Sequence, residues 1–117
     1  MALTDERCAA CRADSPLVTP EEEPGLHAQV PDWEIRTVNG VRRLERVFRI
    51  PGWDAPLAFT LAVGALAAEE DHHPRLVTEW NRVTVSWWTH AIRGLHRNDF
   101  IMAARTDALF AARDADA

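Results

Sequence analysis

The sequence predicts an α+β domain: a four-stranded antiparallel sheet with helices packed on one face, in the order α-β-β-α-β-β-α. Three observations predict it. Asn39-Gly40 sits between two alternating runs, an alanine-rich helical stretch follows over about 54–72, and a second pair of strand-like runs precedes a closing helical stretch. Two hairpins with helices between and around them favour an antiparallel sheet with its helices segregated.

Taken in order, residues 1–18 show no strong periodicity and read as a flexible leader, followed by one domain over 19–113 and a frayed tail over 114–117. Thr19-Pro20-Glu21-Glu22 has the form of a helix start: Thr as cap, Pro at the first position, Glu three residues after the cap. Pro24 and Gly25 interrupt this helix and Pro31 stops it, so it is short, around 20–29. Trp33 to Val38 alternates as a strand, with Trp33, Ile35 and Thr37 on one face. Asn39-Gly40 is a strong hairpin signal and favours a type I′ turn. The return strand runs from Val41 to Ile50, with Leu44, Phe48 and Ile50 on its apolar face and Arg46 intruding among them. Pro51-Gly52 ends it.

In the long helix, Leu57, Leu61, Ala65 and Ala68 recur at helical spacing, and Phe59, Ala62 and Leu66 widen the stripe. The pattern predicts a helix packed broadly on the sheet, its apolar residues serving as core rather than as a ligand site. Leu76–Trp80 and Val83–His90 read as strands joined around Asn81-Arg82. Val83, Val85, Trp87 and Thr89 share the core face. Thr84, Ser86, Trp88 and His90 share the other, which suits a binding surface or, for Trp88, a subunit contact. Gly94-Leu95 turns the chain into a last helix from Arg97 or Asn98 to Arg113. Asp99 lies in its first turn, where a carboxylate complements the dipole, and Phe100, Ile101, Ala104, Ala108 and Ala111 form its inner side.

Composition narrows the function. With 117 residues, 47% hydrophobic and 26% charged, the chain suits one globular domain. No apolar run is long enough to span a bilayer and no signal peptide is visible, so a cytoplasmic protein without membrane contact is expected. A net charge of −5 argues against nucleic-acid binding. The two cysteines, Cys8 and Cys11, have a spacing that can share a metal or form a redox pair, but a zinc site needs about four ligands and only His27 is at hand. Reduced, idle thiols are the expected state, with no metal and no cofactor.

The chemistry concentrates in Glu69-Glu70-Asp71-His72-His73-Pro74. Pro74 disfavours helical geometry at His73, so the long helix is expected to stop near His72. There the helix dipole and the three acids both favour imidazolium, which makes a usable general acid. The same histidines are favourable caps whether or not they do chemistry. His90 is the third candidate. A zinc site built from His72, His73 and His90 is a rival reading, weakened because adjacent histidines ligate one metal poorly compared with i,i+4 pairs.

The run Asp71-His72-His73-Pro74, Glu79-Trp80-Asn81, Trp87-Trp88-Thr89-His90, Gly94-Leu95 and Asn98-Asp99-Phe100 to Ala103-Ala104 resembles the pterin-4a-carbinolamine dehydratases, the bacterial branch above all. The resemblance covers nearly the whole chain and extends to the Cys8/Cys11 leader. It implies a four-stranded antiparallel sheet backed by helices, a homo-oligomer (dimer or tetramer), and dehydration of 4a-hydroxytetrahydropterin to quinonoid dihydropterin. That step recycles the cofactor of aromatic amino acid hydroxylases such as phenylalanine hydroxylase. By position it implies His72, His73 and His90 as catalytic histidines. The pterin would be held by Asp71, His72, His73 and Pro74 on one side and by Trp88, Thr89, His90 and Ala91 on the other. Asp99 would support the loop of His90. The sequence departs from the family where Ala68 stands in place of a frequent acid, so that Glu69 or backbone groups would orient the substrate. His96 reads as a local cap. A non-catalytic, dimeric interaction protein of the same fold is the alternative, and the presence of all three histidines argues for the enzyme.

Overall fold

The structure, a computed structural model, describes residues 2–9 and 15–113. Cys11 and the 114–117 tail expected to fray lie outside the described residues. Strands β1 (Glu34–Val38), β2 (Val41–Arg49), β3 (Arg75–Glu79) and β4 (Arg82–Trp87) form one antiparallel sheet in the order β1-β2-β4-β3. Helices α1 (Glu23–His27), α2 (Asp54–Glu70) and α3 (Arg97–Arg113) complete the α+β fold, with short 3-10 turns at Leu3–Asp5 and His90–Ile92.

The local signals behave as their chemistry requires. Asn39 and Gly40 have φ of 52° and 78°, the pair of positive values a type I′ turn demands, and Val38 faces Val41 across the hairpin. Thr19 Oγ1 accepts the Glu22 N–H at 3.2 Å while Glu22 Oε1 accepts the Thr19 N–H at 3.0 Å, a reciprocal capping box ahead of α1.

The core lies between the sheet and α2 and α3. Leu44 opposes Trp87 and Phe48 opposes Val83 in the β2–β4 register, and all four are buried. Phe48 packs against Phe59 of α2 and Phe110 of α3, with ring centroids 4.9 and 5.0 Å apart. Arg46, the charge on the apolar face, lays its guanidinium over Phe48 and donates to Asp107 Oδ1 at 2.6 Å. Its stem is covered and its charge paired, which makes the position tolerable. Both buried indoles find acceptors: Trp33 Nε1–H on Asp107 at 2.8 Å and Trp87 Nε1–H on Thr106 at 3.1 Å.

Four expectations are corrected. The inward face of α2 is Pro56, Phe59, Val63, Leu66 and Ala67, so the Leu57-Leu61-Ala65-Ala68 stripe looks outward, with Leu57 39% and Leu61 67% exposed. The helix is apolar nearly all round, and in such a helix spacing alone does not choose a face; the bulk of Phe59 does. In α3, burial is concentrated from Asn98 to Ala104, while Ala108 and Ala111 are exposed, because the first half of the helix is covered by the sheet and by the turn at Leu3. Strand β4 stops at Trp87, leaving His90 in a turn rather than at a strand end. Residues 2–9 do not stand off the domain as a loose leader: Leu3 belongs to the core and is 1% exposed. Among the described residues, no helix is long and apolar enough to cross a membrane.

Candidate active site

Helix α2 ends in a left-handed residue. Asp71 has φ 49°, its N–H reaches the Ala68 carbonyl at 3.4 Å, and the His72 N–H reaches the Ala67 carbonyl at 3.1 Å. This is a Schellman cap, with Asp filling the position glycine usually takes. The helix therefore stops before the histidine pair, and the reversal separates the two rings. His72 turns inward and is 5% exposed, while His73 stays largely in solvent.

His72 lies nearly parallel to Trp87, at 15° and 5.8 Å between centroids. Its Nε2–H donates to Asp99 Oδ1 at 2.7 Å. Asp99 is fully buried and its other oxygen accepts the Thr89 hydroxyl at 2.8 Å and the His96 N–H at 2.9 Å. One carboxylate at the start of α3 thus ties together the end of α2, the segment after β4 and its own helix cap. His96 is that cap: its Nδ1 accepts the Asn98 N–H at 3.0 Å, and burial pushes its pKa down against the opposing pull of Asp99.

His90 is placed by a closed loop. Thr89 N–H donates to the Gly94 carbonyl at 2.8 Å and Gly94 N–H returns to Thr89 at 3.4 Å. A Cβ at Gly94 would fall 2.6 Å from Leu17 Cδ2, the end of an exposed side chain that would have to move aside. The His90 ring packs on Trp88, 4.6 Å between centroids, and its Nε2–H donates to the His73 carbonyl at 3.2 Å. Behind Trp88 stands the Arg43 guanidinium, 4.0 Å from the ring centroid.

An open cleft of about 370 Å³ results, lined by Asp71, His72, His73, Thr89, His90 and Ala91. The three candidate histidines are brought together in it, and His73 Nε2 lies 3.7 Å from Asp71 Oδ1. Pro74 and Trp88 flank the cleft without lining it, and Glu69 is exposed away from it. The residue that sequence reasoning passed over is Glu70. Its carboxylate is 2% exposed and is shared by Arg7 and Arg105 at 2.6 and 2.9 Å. Arg7 is the main cause that holds its pKa down to about 2. Nothing local marks Glu70 within the acidic run, because its partners are far away in sequence. Among the described residues, no group of three or more His, Cys, Asp or Glu side chains is arranged to hold a metal ion.

Fold and cleft together define an α+β protein with three histidines gathered at one open cleft. The sequence pattern of the family described as pterin 4 alpha carbinolamine dehydratase matches residues 15–109. The chain is 55% identical over 107 residues to a protein of Syntrophotalea carbinolica provisionally named pterin-4-alpha-carbinolamine dehydratase, covering 92% of this chain and 96% of that one. It is 56% identical over 111 residues to a similarly named protein of Gloeobacter violaceus, covering 95% and 96%. A crystal structure described as a transcriptional coactivator/pterin dehydratase from Brucella melitensis shares the fold at a TM-score of 0.71. It is 26% identical, over 80% of this chain and 98% of that one. The chain belongs to the pterin 4 alpha carbinolamine dehydratase family and is an enzyme of the hydro-lyase class.

Proposed function

We propose that the cleft dehydrates 4a-hydroxytetrahydropterin to quinonoid dihydropterin by histidine acid–base catalysis. The observation that carries this reading is the pairing of His73 and His90 across one cleft through the 3.2 Å bond from His90 Nε2–H to the His73 carbonyl. A carbonyl only accepts, so Nε2 of His90 carries a proton. In its neutral form His90 then holds its lone pair on Nδ1, and it serves as the base. His73, largely exposed and beside Asp71, serves as the acid. The elimination balances: His73 gives a proton to the leaving 4a-hydroxyl, the C–O bond breaks to release water, and a ring N–H loses its proton to His90 as the C=N bond forms. Positioned proton transfer of this kind contributes about 10²–10⁴-fold. His72, fixed by Asp99, orients the substrate from the cleft floor.

The same reading places the enzyme downstream of an aromatic amino acid hydroxylase, such as phenylalanine hydroxylase, which generates the substrate. It also makes the chain a homo-oligomer, since Leu57 and Leu61 give the outward side of α2 an apolar surface suited to a second copy. The test is a stopped-flow assay in which phenylalanine hydroxylase generates 4a-hydroxytetrahydropterin and its ultraviolet decay is followed with and without this protein. Acceleration that vanishes in the His72→Ala/His73→Ala protein supports the assignment; no acceleration by folded wild-type protein overturns it.

A further inference from the structure

Residues Glu6 to Ala9 lie outside the stretch that matches the family, which begins at residue 15. Each of these four consecutive residues is nonetheless tied to one of the two helix ends that carry the site. Glu6 accepts from Arg97 Nε–H and Nη2–H at 2.9 and 2.7 Å. Arg7 Nε–H is shared between the two oxygens of Glu70 at 2.9 and 2.7 Å, and the Cys8 N–H donates to Glu70 Oε1 at 3.0 Å. Ala9 and Asn98 exchange a pair of bonds, Ala9 N–H to Asn98 Oδ1 at 3.0 Å and Asn98 Nδ2–H to the Ala9 carbonyl at 2.7 Å.

The anchors are the neighbours of the site. Glu70 is the last residue of α2, directly before Asp71-His72, and Asn98 directly precedes Asp99. The segment therefore bridges the same two helix ends that the His72–Asp99 bond bridges. We infer that Glu6–Ala9 is a positioning strap, which holds the end of α2 and the start of α3 at the separation where His72 Nε2 meets Asp99 Oδ1, and so fixes the histidines of the cleft.

The anchor points are firm. The Glu70 side chain and Asn98 are both nearly inaccessible, and Arg105 also lies against Glu70, at 2.9 Å. Burial makes such polar contacts geometry-specific, because a displaced group finds no water to replace its partner. A hydrogen bond weakens steeply as distance and angle depart from optimum, and displacement of about 1 Å in an active site can cost about 100-fold in rate. Arg7 lies on the solvent side, 67% exposed, so its removal releases the strap without opening the core.

This inference rests on the proposed roles of the histidines, and its test separates the two. In the full chain, Glu6→Ala/Arg7→Ala is compared with wild type and with Arg7→Lys. Turnover and KM are measured for dehydration, and the His72 ring nitrogens, which report the bond to Asp99, are followed by nitrogen-15 NMR at one fixed pH. Asp99 faces His72 directly, with His96 beside it, and both are left intact. The double variant is expected to lose about fivefold to tenfold in kcat with KM within about twofold. Its His72 ring signals move, and Arg7→Lys restores part of both the rate and the signals. Unchanged His72 signals in the double variant overturn the strap, whatever happens to thermal stability. If the wild-type chain accelerates no dehydration, the NMR comparison still decides the strap on its own.

Discussion

His72 and Asp99, 27 residues apart in the chain, meet at 2.7 Å in an interior with almost no access to water. The carboxylate also accepts from Thr89 and His96, so three donors from three segments converge on it. Asp99→Asn keeps the shape but exchanges one acceptor oxygen for an N–H₂ that faces other donors. The substitution is expected to cost about 1–3 kcal/mol, the usual penalty for an unsatisfied buried polar group. Urea unfolding measures that loss. Dehydration should fall as well, because both His72 and the loop of His90 lose their common anchor.

The two adjacent histidines should separate cleanly by mutation. His73→Ala removes a largely exposed ring that stands beside Asp71, so stability should stay within about 0.5 kcal/mol. Its dehydration rate should fall by about 10²–10⁴-fold if it is the acid. His72→Ala leaves Asp99 with an unmet oxygen and a void against Trp87, so stability and rate should fall together. Paired denaturation and stopped-flow measurements on the two variants decide it. A stable, fully active His73→Ala protein would remove His73 from the acid role.

Much of this was legible because the signals were local. Asn39-Gly40 dictates its own turn, Thr19 and Glu22 their own box, and Pro74 the end of α2 to within two residues. That His72, His73 and His90 share a cleft was also readable, from the resemblance of Asp71-His72-His73-Pro74 and Thr89-His90 to the family. What sequence could not show depends on distant partners or on ambiguous composition. An alanine-rich helix offers no preferred side until Phe59 meets Phe48 and Phe110. The run from Val83 to His90 looks like one strand, and only the Thr89–Gly94 closure turns its end into a loop. The early residues have no periodicity to read because their anchors, Glu70 and Asn98, lie 63 and 89 residues away.

Glu70 gives the fold a defined acid response. Its folded pKa of about 2 lies below the ordinary carboxylate value of 4.5. A depressed carboxylate stabilises the fold fully above the unfolded value and loses that contribution as pH falls through the folded one. The contribution of Glu70 is therefore present at pH 7 and fades between about 4.5 and about 2. Glu70→Gln should lower the urea midpoint at pH 7, and the difference from wild type should shrink progressively below pH 4.5. A variant that unfolds in parallel with wild type across this range would show that Arg7 and Arg105 gain nothing from the charge.

The proposed self-association should run through the outward face of α2. Leu57 and Leu61 stand one turn apart on it, with the small Ala65 and Ala68 continuing the stripe, and all four are exposed in the single chain. Burying a leucine contributes about 1.5–3 kcal/mol. Across a two-fold interface each residue counts twice, so one leucine is worth about 3 kcal/mol or more, which is about two orders of magnitude in the association constant. Leu61→Lys should therefore convert the assembly to single chains in sedimentation velocity while leaving the helical circular dichroism unchanged. The cleft residues Asp71, His72, His73, Thr89, His90 and Ala91 lie off this face, so dehydration per chain should survive within about twofold. Loss of activity on dissociation would mean that the second copy completes the site, and a wild-type protein that sediments as a single chain at micromolar concentration would remove this face as an interface.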